Sequence, residues 1–301
     1  MVEQSLRDKT CLITGTARGM GRIAARELAK LGARLILVDI KDEEGREARD
    51  EIVELTGNDQ LEFVHCDVAS FSQVRSLANH VLERYDRLHV LINNAGFVDP
   101  VYRLTEDGFE QHLAVHYLGH FLLTRLLLER MMESAPARVV MISSDSHKAG
   151  GPLNWDDMQI RKPWGRRSIS NRGAFAAYQQ SKLAMTLTTY EMARRLQGSG
   201  VTVNAVSPGY FIRTSVYDNM RGPLKLISKL LRPFFNDPER SVRTYVYLAA
   251  SPMLERETGK YWEHLITKES SPASYDRSEM KRLWDWSERA VGLDPWPEGA
   301  L

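Results

Sequence analysis

Cysteine is scarce: the 301-residue chain holds two, Cys11 and Cys66, both inside short apolar runs. Buried thiols of this kind suit a reducing compartment and exclude the disulfide framework that small secreted domains rely on. Long hydrophobic runs are missing as well. The first apolar stretch starts near residue 10 and is only a strand long, so neither a signal peptide nor a membrane-spanning helix is expected and the chain reads as cytoplasmic. Charge of one sign is not in excess either, because 40 basic residues stand against 39 acidic ones. A net charge of +1 gives no field to gather nucleic acid or acidic lipid, and a small-molecule partner is expected instead. No internal repeat and no low-complexity linker interrupts the sequence. With 43% hydrophobic residues, it can bury a full core as one large domain or two small ones.

What is present is an alternation. Strand-sized apolar runs occur at 10–14, 33–39, 61–67, 88–94, 137–144 and 201–207, and helix-period segments lie between them at about 19–31, 43–55, 70–84, 105–133 and 174–197. Strands separated by helices imply an α/β fold whose parallel sheet is covered on both faces. Two stretches break the pattern, 148–174 and the less regular tail beyond about 211, and both are long enough to be functional loops or lids.

After the first run comes "TGTARGMGR", with Gly15, Gly19 and Gly21 at the turn into a helix. Glycines there let the backbone approach a pyrophosphate, which the helix amides and dipole then hold. The spacing is GxxxGxG, not the GxGxxG of the general dinucleotide fingerprint. The second run ends in Asp39, whose carboxylate can accept from adenosine ribose hydroxyls and would repel a 2'-phosphate. That favours NAD over NADP, although Arg18 inside the turn is able to pair with such a phosphate.

In "FAAYQQSKLAM" (175–185), Tyr178 and Lys182 stand four apart on one helical face. Free tyrosine titrates near about 10. A nearby cation favours phenolate and prepares the hydroxyl for acid/base work. Alone, such a pair is more often a surface lysine beside a packed aromatic.

Four motifs together settle which reading to follow: "TGTARGMG", "NNAG" at 93–96, the pair Ser143–Ser144, and "YQQSK". The chain resembles the short-chain dehydrogenase/reductases over essentially its whole length. It is most similar to the retinol dehydrogenase and WW-domain-containing oxidoreductase branch, through 107–124, "LNWDDM" (153–158), "EMARRLQGSGV" (191–201) and "RLWDWSE" (282–288). The resemblance implies a single Rossmann domain over 1–301, with a seven-stranded parallel sheet in the order 3-2-1-4-5-6-7. A substrate lid at about 210–237 and a C-terminal extension at about 265–301 would complete it. Gly15, Arg18, Gly19, Met20 and Gly21 would form the cofactor turn; Asp67 and Val68 would contact adenine, and Asn93, Ala95 and Gly96 would line the ribose side. Pro208, Gly209 and Thr214 would close on the nicotinamide amide. Tyr178 would exchange a proton with the substrate oxygen, Lys182 would hold the nicotinamide ribose, and Ser144, rather than Ser143, would hydrogen-bond the same oxygen. A homodimer or homotetramer through the two long helices follows from family habit. The activity implied is NAD-dependent interconversion of a lipophilic alcohol and its ketone or aldehyde, with an NADPH-dependent ketoreductase or a low-turnover cofactor-binding scaffold as alternatives.

The chain departs from the family in places. Where the branch carries asparagine in "VNHLGH", this sequence has "VHYLGH" and the position is His116. Imidazole both donates and accepts, so His116 either sustains the proton relay to the lysine or merely satisfies a buried backbone group. His112, His116 and His120 share one helical stripe. Spread over about 12 Å of helix, they cannot all reach one ion without other elements, and no metal is expected. The basic, amphipathic stretch 215–235 reads as a lid over a greasy substrate, with peripheral membrane contact as the second reading. Four tryptophans in the tail, at 262, 284, 286 and 296, serve either core packing or an aromatic wall around the substrate, and the basic run from Arg161 to Arg172 reads as a solvated loop.

Overall fold

The computed structural model describes residues 6–165, 169–209, 212 and 235–296. All six apolar runs become strands: β1 (Thr10–Thr14), β2 (Arg34–Asp39), β3 (Leu61–His65), β4 (Val90–Asn93), β5 (Ala137–Ile142) and β6 (Val201–Val206). Their alternation sorts side chains between two cores. Leu12, Ile36, Leu91 and Val139 face a core shared with α3 (Phe71–Arg84), α5 (Gly119–Glu133) and α6 (Asn171–Arg195). Ile13, Leu35, Leu37 and Ile92 face the opposite core, against α1 (Gly19–Lys30), α2 (Asp42–Thr56) and α7 (Pro238–Ala250). Helix boundaries follow local chemistry. The Ser70 side chain accepts from the Gln73 amide at the start of α3, Asp237 caps α7 before a proline, and Gly57 ends α2 in the left-handed region.

Strand order is β3-β2-β1-β4-β5-β6-β7-β8, so the first seven stand in the expected order and the expected count of seven is corrected to eight. The extra strand comes from a hairpin of β7 (Tyr261–Glu263) and β8 (Ile266–Lys268), which pair antiparallel at the sheet edge. Each is three residues long, and β8 is exposed throughout, so neither offers the alternation by which a strand is read. The turn between them, His264–Leu265, places both residues at positive φ, 50° and 68°. That position normally calls for Asn-Gly, and its absence hid the hairpin.

The helical segment expected at 105–133 is built in three pieces: α4 (Gln111–Leu113), a π-helical turn (Ala114–Leu118) and α5. Gly119 lets this helix lie against the loop after β3, since a Cβ there would sit 1.8 Å from the Val68 carbonyl oxygen. In the irregular tail lies α8 (Arg277–Ala290), capped by Asp276; it packs along α6 and reaches α5 through Phe121 and Arg125. Trp284 meets the Phe121 ring at 5.1 Å and lies under the Arg195 guanidinium at 4.5 Å, while the Tyr117 hydroxyl bonds Ser287 Oγ at 2.6 Å. The helix pair expected to meet a second subunit is thus already partly covered by the chain's own C-terminal helix. Of the tail tryptophans, Trp284 and Trp262 belong to the two cores, Trp286 packs beside Phe109 and Trp155, and Trp296 lies under Arg125. All four make packing contacts, and none of them lines the cleft described below.

Trp284 is 1% exposed, which gives a stability test. Trp284→Ala is expected to cost about 3–5 kcal/mol by loss of burial and the cavity left behind. Urea denaturation with an unchanged m-value would read it; a loss below about 1 kcal/mol would mean that α8 does not fasten the domain.

Candidate active site

The carboxyl ends of β1, β2, β3 and β4 open onto a cleft of about 290 Å³. Gly15, Arg18, Gly19, Met20 and Gly21 form one wall, Asp39, Asp67 and Val68 the next, and Ala95 and Gly96 the third. The turn is shaped for close approach. A Cβ on Gly21 would fall 2.0 Å from the Gly15 carbonyl oxygen, whereas Gly19, at φ +62°, has no neighbour within 4 Å of where its Cβ would be and offers bare backbone. Asp39 is pinned at the rim: one carboxylate oxygen accepts from the Ala17 amide at 2.9 Å and the other from the Lys41 amide at 3.0 Å.

Seven lining residues were not expected from sequence, and three of them carry polar or reactive side chains. Asn94 lines the cleft and ties the glycine turn, donating to the carbonyls of Thr14 at 2.8 Å and Gly15 at 3.2 Å. Asn93, expected on the ribose side, is instead fully buried and donates to Thr124 Oγ1 at 2.8 Å. The pleat alone decides which of two adjacent asparagines faces the cleft, and the motif does not carry that register. Lys41 adds a second cation to the lining, paired with Glu44 at 2.6 Å. Cys66 lines the cleft as well, but burial pushes its thiol up to about 12, so it offers no thiolate.

On the other side of the sheet's carboxyl edge, α6 brings Tyr178 and Lys182 together. The Lys182 ammonium lies 5.6 Å from the centre of the Tyr178 ring and donates to the Ile142 carbonyl at the end of β5 at 2.6 Å. Burial drives this amine down to about 7, because a charge removed from water is disfavoured. Two residues beyond Ile142, Ser144 caps a short 3-10 turn; its Oγ accepts from the Ser146 amide at 3.2 Å and pairs with Ser146 Oγ at 2.9 Å. Ser143 points the opposite way, into α6, where its hydroxyl meets Thr186 Oγ1 at 2.8 Å. Pro208 and Gly209 follow β6 at the same edge, with the Pro208 carbonyl accepting from Ser241 at 2.6 Å. Thr214 and nearly all of the expected lid lie outside the described residues.

His116 sits in the π turn, 5.1 Å and edge-on from the Tyr178 ring. Its Nε2 accepts from the Phe97 amide at 3.0 Å and its Nδ1 faces Ser181 Oγ at 3.1 Å. Burial holds the ring well below its ordinary pKa, and the nearby Lys182 charge acts in the same direction. Both nitrogens have partners, one a backbone amide and the other a side-chain hydroxyl. Among the described residues no cluster of His, Cys, Asp or Glu is arranged to hold a metal ion.

A cleft floored by a glycine turn and rimmed by an acidic residue after β2, with His116 packed between its Gly96 wall and a Tyr-x-x-x-Lys helix, defines a nucleotide-dependent oxidoreductase of the α/β class. A sequence profile for the short chain dehydrogenase family matches residues 9–154. Human retinol dehydrogenase 13 is 39% identical over 95% of this chain and 85% of its own length, and human polyprenol dehydrogenase is 38% identical over 95% and 86%. A crystal structure of an uncharacterized protein from Mycobacterium Paratuberculosis superposes with a TM-score of 0.74 at 30% identity, covering 97% of each chain. Another, described as an NAD(P)-dependent gluconate 5-dehydrogenase from Beutenbergia cavernae with bound NADP, gives 0.67 at 26% identity over 85% of this chain and 95% of that one. The chain belongs to the short-chain dehydrogenase/reductase family. Within it the chain falls in the retinol dehydrogenase branch, and it is an NAD(P)-dependent oxidoreductase acting on alcohols. No helix among the described residues is long and apolar enough to cross a membrane.

Proposed function

We propose that the protein interconverts a lipophilic primary or secondary alcohol, of retinoid, steroid or polyketide character, and its aldehyde or ketone, using NAD(H). The observation that carries this reading is the buried Lys182 ammonium beneath Tyr178, one strand end away from Ser144. A bound nicotinamide supplies or accepts the hydride. The chain's own groups do the rest: Tyr178 passes a proton to or from the substrate oxygen, Ser144 hydrogen-bonds that oxygen, and Lys182 favours the phenolate and holds the nicotinamide ribose. The cleft fits the dinucleotide, because the open backbone at Gly19 and the amides that begin α1 form an anion cradle that a side chain would fill. Gly15, Met20, Gly21, Asp67, Val68, Ala95 and Gly96 would line it, and Pro208 and Gly209 would flank the nicotinamide end.

An apolar substrate is supported by the neighbourhood of Tyr178, where Val98, Ile160, Trp164 and Ala177 pack together. The names of the relatives, retinol and polyprenol dehydrogenases, point the same way. A cytoplasmic setting is supported by the free, buried Cys11 and Cys66, and a homodimer or homotetramer would have to form outside the part of α5 and α6 that α8 covers.

Asp39 carries the cofactor choice. Held by two amides at the cleft rim, its carboxylate is fixed where a 2'-phosphate would add a second anion. A second reading, an NADPH-dependent ketoreductase, draws on Arg18 and Lys41 lining the same cleft and on the NADP in the gluconate dehydrogenase structure. Asp39→Ala decides between them. The ratio of kcat/KM for NAD over NADP is expected to fall by about tenfold or more, equivalent to about 1.4 kcal/mol. A ratio that does not move, or that favours NADP before the change, would reverse the assignment.

A further inference from the structure

We propose that His112, His116 and His120 form a ladder of acceptor imidazoles that positions the loop 94–99, and through it the cofactor-facing wall of the cleft. The inference rests on the reading of that cleft as the dinucleotide site. Two of the rings meet the loop directly and the third reaches it through Thr14. His112 Nε2 accepts from the Asp99 amide at 3.1 Å, and His116 Nε2 accepts from the Phe97 amide at 3.0 Å. Thr14 Oγ1 accepts from the amides of Asn94 at 2.9 Å and Ala95 at 3.0 Å, which leaves its own hydrogen for His120 Nε2 at 2.9 Å.

The donors fix the tautomers. With every Nε2 an acceptor, each neutral ring carries its hydrogen on Nδ1. The partners agree for two of the rings: His112 Nδ1 faces the buried Glu110 carboxylate at 2.6 Å, and His116 Nδ1 faces Ser181 Oγ, which itself donates to the Tyr178 carbonyl at 2.8 Å, whereas His120 Nδ1 is buried without a hydrogen-bond partner. His112 and His116, four residues apart across the start of the π turn, meet amides two residues apart, at 99 and 97. The loop's other side presents Asn94, Ala95, Gly96 and Phe97 to the cleft. A loop whose amides are held from behind is ordered before the cofactor arrives, and a site ordered in advance binds more tightly. All three histidines are positioning residues, remote from the reacting atoms in role.

Hydrogen–deuterium exchange of the unliganded protein, read on the segment 94–99, and an NADH titration followed by calorimetry test this together. His116→Leu removes the acceptor and is expected to speed exchange at 94–99 by about tenfold, as for one lost buried hydrogen bond. NADH affinity should fall by a similar factor, with β5 and α6 exchanging as in the native chain. His112→Leu should do the same, focused on Asp99, and His116→Asn, whose amide oxygen can still accept, should recover most of both losses. Unchanged exchange at 94–99, a rise spread evenly over the sheet, or faster exchange with unaltered NADH affinity would each overturn the ladder. If the native protein binds neither NADH nor NADPH, the reading of the cleft fails, and the exchange pattern still decides whether the rings hold the loop.

Discussion

Replacing Tyr178 with Phe is expected to lower turnover by about 10²–10⁴, the range removed with a positioned general acid/base, while leaving NADH affinity within about twofold. The hydroxyl is the only atom lost, and the ring keeps its contacts with His116 and with the apolar groups around it. The structure gives the effect its size: the amine that assists the hydroxyl is held at 2.6 Å on the Ile142 carbonyl and cannot drift away. Turnover with alcohols and with carbonyl compounds should fall together, since the same proton moves in both directions. Calorimetry would confirm that the variant still binds cofactor; turnover within threefold of the native protein would remove Tyr178 from the reaction.

Lys182→Met is expected to produce a protein that is more stable and nearly inactive. Lys182 is 3% exposed, and its pKa falls from 10.5 to about 7 by desolvation. At about 1.4 kcal/mol per unit, holding the cation in place destabilises the unliganded fold by several kcal/mol. Linkage sets the sign. Between about 7 and 10.5 the unfolded chain binds the proton that the folded one has released, so native stability rises with pH across that window, and the full penalty applies below it. The methionine variant lacks this term and fills a similar volume. Its stability advantage should therefore be largest near pH 6–7, about 2–4 kcal/mol after allowance for the lost hydrogen bond, and should close towards pH 10. Turnover should fall by at least about 10², because the phenolate loses its cation. Chemical denaturation over that pH range reads the first effect; a variant less stable than the native chain at pH 7 would show that Lys182 is a net structural asset.

Much of this was legible because it is local. Gly15, Gly19 and Gly21 fall at a strand-to-helix turn, Asp39 ends a strand, and Tyr178 and Lys182 are one turn apart; each signal fits within a few residues, and the structure places each where spacing puts it. Asn93 and Asn94 show the limit, since the motif names both and only the pleat chooses between them. The β7–β8 hairpin was hidden by a His-Leu turn at positive φ and by strands of three residues. The histidine stripe was visible, but its meaning was not: the amides of Phe97 and Asp99 lie well over ten residues away, and the π turn that carries His116 leaves no mark in a periodicity count. The covering of α5 and α6 by α8 depends on Trp284, Ser287 and Glu288 finding partners 89 or more residues distant, which a reading of helical faces does not supply.

The most direct measurement is isotopic. The native protein is incubated with NADH or NADPH carrying deuterium at nicotinamide C4 and with a panel of long-chain aldehydes and apolar cyclic ketones, and the products are weighed by mass spectrometry. Expected is one deuterium on the carbinol carbon of at least one product, delivered faster from NADH than from NADPH and abolished in Tyr178→Phe. Binding of the reduced dinucleotide with no label transferred to any carbonyl, or transfer that survives the loss of the Tyr178 hydroxyl, would contradict the proposed chemistry.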